Sequence, residues 1–334
     1  MRFYQLSIID PKTTKPPVDA SGKAIGPFNT LKTPGRGLHI EFDVMITGLD
    51  EVGAGTALTI YGLPIDVLKQ SVKLHGCIVS LIAGFSAGLP LANPAQQGEI
   101  IYGEVLAAYA NWIGTNQTLS LIVNPAIRRN DEGKTVEISA DAKKGEKLGD
   151  VLCRALQKAY PKKRIECTVS DALILPESGP LHYTEITSLA TMVKSASIAL
   201  MKRDNYSGVR ISMQADTIRI FDNSDCNRED KKILPHELIG QPTWIQPFIM
   251  SFKCPLRGDL RVCDIINLPQ GTVSDGESIL MTNTHPNTGL TNQTTTFSGR
   301  FMIQSVRHIG AFLSASGDAW STVFTATAIE QRSR

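Results

Sequence analysis

The chain has 334 residues, 42% of them apolar and 20% charged, and a formal net charge of +2. Such totals suit a globular protein that buries a core without metal or disulfide staples. Lys and Arg are spread thinly, which argues against a nucleic-acid reader with a clustered basic face; the densest run, KKR at 162–164, reads as a solvated loop after Pro161.

Residues 1–125 read as strands, beginning with FYQLSIID. In GLHIEFDVMITG, His39, Glu41 and Asp43 face one way and Leu38, Ile40, Phe42 and Val44 the other, as in a strand buried on one face. TALTIYGL, KLHGCIVSLIAGF, GEIIYGEVLAAYANW and TLSLIVNPA continue the series, with IDVLKQ (65–70) as one helical turn after Pro64. Many short strands at this spacing predict a barrel or a sandwich.

Past the polar turn RRNDEGK the texture changes. KLGDVLCRALQKAY sets Leu148, Val151, Leu152, Ala155, Leu156 and Ala159 on one helical stripe, ended by Pro161. RIECTVSD follows as a strand. YTEITSLATMVKSA is a second helix with Ile186, Leu189, Ala190 and Val193 inward, and GVRISMQ with DTIRIFD is a hairpin. NSDCNREDKK is a polar linker.

From residue 233 the reading is β again. PTWIQPFIMSFK, DLRVCDIINLP and ESILMTN are strands, TNTHPNTGLTNQTTT is a polar loop, and FMIQSVRHI and WSTVFTATA close the chain around GAFLSASGD. Trp320, Thr322, Phe324, Ala326 and Ala328 share one face. The partner strand breaks its alternation near Gln304–Ser305, as a bulge would. The fold class expected is mainly β with an α+β middle: two tube-like β-barrel domains plus a small helix-strand domain. Their bounds are 1–128, 129–228 and 229–334.

Cys77, Cys153, Cys167, Cys226, Cys254 and Cys263 show no CxxC spacing, so reduced, mostly buried thiols of a protein made in a cytosol are expected. The start, MRFYQLSIIDPK, lacks the apolar stretch of a secretory leader. CIVSLIAGF is too short to cross a bilayer, so no membrane segment is expected.

GFSAG at 84–88 matches G-x-S-x-G. A strand precedes Ser86, but Pro90 and Pro94 obstruct the helix that a nucleophile elbow needs. A serine hydrolase using Ser86 stands as the alternative from another functional class. His39, His75, His182, His236, His285 and His308 are scattered singly, without HxH or HExxH spacing. His308, Asp318 and Ser316 could meet across the closing hairpin, yet a hairpin loop supplies neither an oxyanion hole nor a cleft. The RGD triplet at 257–259 falls where a turn is expected. No GxxxxGK or GxGxxG is present. The reading is non-enzymatic, with no catalytic residue, cofactor or metal ligand.

The order of the C-terminal pieces is more informative. LIGQPTWIQPFIMSFKCPLRGDLRVCDIINLP is followed by FSGRFMIQSVRHIGAFLSASGDAWSTVFTATAI. This series resembles the baseplate hub proteins of contractile-tailed bacteriophages through Gly240 and Pro242, Leu256 to Asp264, Gly299 to His308, and Trp320 with Thr322. EISADAKKGEKLGDVLCRALQKAYP and LHYTEITSLATMVKSASIA are similar to the family's middle modules. Cys263 stands where a glycine before Asp is usual, and Phe301 where tyrosine is.

The resemblance implies a homotrimeric ring that adapts a six-fold tail tube to a three-fold central spike and lines the DNA channel. The implied partners are the tube protein above, the spike below and other baseplate wedge proteins. DNA would pass without sequence-specific binding. The implied location is the tail tip or baseplate of a virion, after synthesis in the host cytoplasm. The same fold in a contractile secretion or pyocin-like machine is the nearest alternative. Trp244, Arg257, Arg300 and Trp320 lie in the family-like segments and are the interface candidates, since Trp and Arg are enriched at hot spots.

Overall fold

A computed structural model describes residues 1–32, 37–51, 56–86, 93–129, 134–203, 206–223, 229–269 and 299–329. The N-terminal stretch holds β1 (Arg2–Ile9), β2 (Phe28–Asn29), β3 (Ile40–Ile46), β4 (Thr56–Tyr61), the single turn α1 (Ile65–Leu68), β5 (Ile78–Phe85), β6 (Gly98–Ile113) and β7 (Asn116–Asn124). The period-two pattern predicted for β3 is real: Ile40, Phe42, Val44 and Ile46 are buried and Glu41 is exposed.

The middle stretch holds β8 (Ile138–Ala142), α2 (Leu148–Ala159), β9 (Arg164–Thr168), β10 (Gly179–Tyr183), α3 (Ile186–Met201), β11 (Arg210–Gln214) and β12 (Thr217–Phe221). Both helical stripes read from the sequence face inward. Leu148, Val151, Leu152, Ala155 and Leu156 are buried on α2, and Ile186, Leu189, Ala190 and Val193 on α3. They cover a three-stranded sheet ordered β11-β12-β9, in which the β11–β12 hairpin is antiparallel and β9 runs parallel to β12. This stretch has a hydrophobic core of its own.

The last stretch holds β13 (Lys231–Lys232), β14 (Thr243–Gln246), β15 (Ile249–Pro255), β16 (Ile265–Leu268), β17 (Gly299–Ala311) and β18 (Trp320–Ala328). Its strands do not stand apart from the N-terminal ones. A single ladder runs β14-β15-β18-β17-β3-β4-β7-β6-β5-β1-β2, with β16 joined to β17 and β13 to β16. The long β17 is the join: Leu268 to Ile265 pair with its first residues, and β3 pairs with Val306 to Ala311. The register slips between Ile303 and Ser305, where the sequence predicts a bulge. Among the described residues the ladder ends at β2 and β14. The architecture is mainly β with an α+β middle.

The closing hairpin is part of the core. Gly310 sits between Phe42 and Trp320 in the ladder. A Cβ on Gly310 would lie 2.1 Å from the Phe42 ring. The missing side chain lets the Phe42 and Trp320 rings meet edge to face, with centroids 5.1 Å apart. The Trp320 indole N–H donates to the Gly84 carbonyl at 3.1 Å, so the one polar group of a buried ring is satisfied.

One expectation needs correction. DLRVCDIINLP is a strand only over β16; Arg261 to Asp264 form a turn closed by the Asp264 amide on the Arg261 carbonyl, 3.0 Å. Cys263 lies in that turn at φ 72°, the left-handed region that favours glycine, which is the residue the resemblance puts there. Among the described thiols Cys77, Cys254 and Cys263 are buried, Cys153 is half-buried and Cys167 is exposed. ESILMTN, the loop 282–296 and Cys226 lie outside the described residues.

Candidate subunit-contact surface

β6 is sixteen residues long, but β5 accompanies it only as far as Glu104. Beyond a register shift between Val105 and Ala107, β6 continues as an arm with β7 alone. From Ala107 to Ile113 its outer edge has no neighbouring strand among the described residues. Gly114 turns the arm at φ 59°, the positive angle that two-residue hairpin turns require. Tyr109, Trp112 and Ile113 are 57%, 64% and 75% exposed. No charged residue occurs between Glu104 and Arg128.

An open strand edge invites pairing, and proteins usually blunt it with Lys, Pro or a covering element. This arm has neither Lys nor Pro between Ala107 and Ile113. Large exposed apolar groups gathered at one place mark interaction sites more often than scattered ones do. The arm therefore has the composition of a buried strand and the exposure of a surface one.

The far end of the ladder has the same character. Every residue of β14 is exposed, and β15 is its only partner among the described residues. Ile245 and Phe248 are exposed there, and Phe248 takes a positive φ at the turn into β15.

The four residues singled out by sequence fall in different settings. Trp244, on β14, is 39% exposed, its ring centroid 6.0 Å from that of Phe301. Arg300 makes a two-pronged contact with Asp230, both bonds 2.7 Å. Arg257 is buried; burial alone would lower its pKa, but Asp259, at 2.9 and 2.8 Å, and Glu237, at 3.4 Å, keep it raised. The arginine and aspartate of the RGD triplet thus bind each other. Trp320 is buried in the core described above. The arm was missed by sequence reading, which took β6 and β7 as two ordinary strands. The long stretch without charge, with Trp112-Ile113 inside it, was the available signal.

The hydrolase motif is differently engaged. The Ser86 hydroxyl donates to the Met1 carbonyl at 3.0 Å, and residues 87–92 lie outside the described ones. His308 is fully buried, with Nδ1 2.9 Å from Thr322 Oγ1. Burial lowers its pKa to about 3, so the ring is neutral. Asp318 pairs with Lys253 at 3.0 Å on the surface, so it does not orient His308. A cavity of about 20 Å³, room for a single water, is lined by Glu99, Tyr102 and Gln214 among others. Among the described residues no cluster of His, Cys, Asp or Glu could hold a metal ion, and no helix is long and apolar enough to cross a membrane.

No known protein family's sequence pattern and no curated protein matches the chain. Solved structures do. The 43 kDa tail protein of prophage MuSo2 from Shewanella oneidensis superposes with a TM-score of 0.50 at 8% identity, covering 98% of this chain and 97% of that one. The E. coli c3393 protein, a component of the type VI secretion system with structural similarity to the T4 bacteriophage tail proteins gp27 and gp5, gives 0.48 at 9% identity, over 88% of this chain and 74% of that one. A tail protein from Neisseria meningitidis MC58 gives 0.46 at 7% identity, over 98% and 96%. At such identities the likeness to the prophage tail protein is one of fold.

Proposed function

We propose that this chain is a structural hub of a phage baseplate, a homotrimeric ring that adapts a six-fold tail tube to a three-fold spike. In this reading the segments 1–128, 129–228 and 229–334 are its working units, and the two β segments furnish tube-like walls around the DNA channel. The tube protein binds above, the spike protein below, and wedge proteins at the periphery. DNA passes along a wall that makes few Lys or Arg contacts with phosphate, which keeps retention weak. The protein then resides at the tail tip of the virion.

The observation that carries the proposal is the β6–β7 arm: an uncharged, open-edged hairpin with Tyr109, Trp112 and Ile113 in solvent. Placed against a neighbouring copy, its free edge would be covered and its rings buried, and a closed ring repeats the contact identically in every subunit. The shared fold with a prophage tail protein over nearly the whole chain supports the same reading. So does the engagement of Ser86 with Met1 and of His308 with Thr322, which leaves the hydrolase alternative without an assembled triad among the described residues. The test is the mass of the full chain in solution, alone and with Trp112→Ser and Ile113→Ser together. The double variant should stay folded and lose self-association.

A further inference from the structure

Cys153 and Cys167 come from the two sides of the α2–β9 packing. Cys153 is half-buried on α2 and Cys167 is exposed on β9, the edge strand of the three-stranded sheet. A Cβ placed on Gly149, one turn before Cys153 on α2, would lie 3.2 Å from the Cys167 sulfur. The Cys167 thiol thus rests against the α2 surface at the turn that bears Cys153. The neighbouring Cys167 thiol lowers the pKa of Cys153, and Cys153 in turn raises that of Cys167. Cys77, Cys254 and Cys263 lack this setting: all are buried, and burial raises Cys77 to about 11 and Cys254 to about 12.

We infer that Cys153 and Cys167 form a reversible disulfide that ties the edge strand β9 to α2. The thiolate of Cys153 attacks a small-molecule disulfide, joining one half to itself and releasing the other half as thiolate. Cys167 then gives its proton to solvent, and its sulfur attacks the Cys153 sulfur, expelling the second half. The protein loses two hydrogens, and the small disulfide is reduced to two thiols. A reducing compartment keeps the pair open, and an oxidising one closes it. The inference is independent of the hub proposal.

The test treats the native full chain with oxidised glutathione, blocks the remaining thiols with iodoacetamide and maps the peptides by mass spectrometry. The expected result is one cross-linked peptide pair joining Cys153 to Cys167, reversed by dithiothreitol and retained in Cys226→Ser. Cys153→Ser and Cys167→Ser should each abolish it and leave glutathione on the remaining partner. Alkylation of both cysteines in the treated chain would overturn the inference. So would a cross-link from either of them to Cys226, or glutathione held stably on both.

Discussion

Gly98 and Gly258 lie backbone against backbone, so closely that a Cβ on Gly98 would stand 2.8 Å from the Gly258 carbonyl oxygen. The contact joins the start of β6 to the turn after β15, and the Gly258 amide donates to the Gln96 carbonyl at 2.8 Å beside it. The atoms in the way are main chain, so nothing flexible can yield. Gly258→Ala is expected to cost about 1–3 kcal/mol, as overpacking does. Gly179→Ala, which meets nothing within 4 Å, should stay within about 0.5 kcal/mol. Urea midpoints at constant slope check both.

Asp264 ties the middle sheet to the C-terminal strands through Arg219 and Lys231, each at 2.8 Å. Burial pushes its pKa up, but the two cations outweigh this and hold it below the ordinary carboxylate value. The folded pKa lies beneath the unfolded one of about 3.9. The stability that Asp264 contributes is therefore complete above about pH 5 and is lost as pH falls through its folded pKa. Asp264→Asn leaves Arg219 short of a partner in a buried place, a loss of about 3–5 kcal/mol for a fully stranded charge. Glu166, 2.8 Å from Arg219, brings the expected loss to the lower end. Denaturant titrations from pH 7 to pH 2 should show the variant weaker at neutral pH and less acid-sensitive below pH 4.

His308 predicts a second window. The unfolded chain takes up this proton near pH 6.5, whereas the buried ring resists until about 3. Between those values the unfolded state binds more protons, so stability falls as pH falls, by up to about 1.4 kcal/mol per unit. In His308→Gln the decline between pH 6.5 and 4.5 should be shallower than in the parent chain. Equal slopes would mean that water reaches the ring.

What the sequence displayed plainly was local. The α2 stripe repeats over three turns within twelve residues, and the alternation of β3 is visible in seven. The bulge at Gln304–Ser305 appears as a broken alternation. The pairing of β17 with β3 left no such trace, because Val306 and Ile46 are separated by most of the chain and nothing local selects one partner strand. Nor could the ion pairs of Arg257 and Arg300 be read: each arginine looks the same in sequence whether its carboxylate lies inside the chain or on a neighbour. Cys263 shows the reverse case, since its odd place in a glycine-like turn was visible through the resemblance before the backbone angle explained it.

Self-association through the arm is the claim on which the functional account stands. Native mass spectrometry of the full chain, over a concentration series, measures it directly. The account predicts a closed trimer that dissociates to folded monomers when Trp112 and Ile113 are both changed to Ser. A monomer at every concentration, or a trimer indifferent to those two changes, would contradict it.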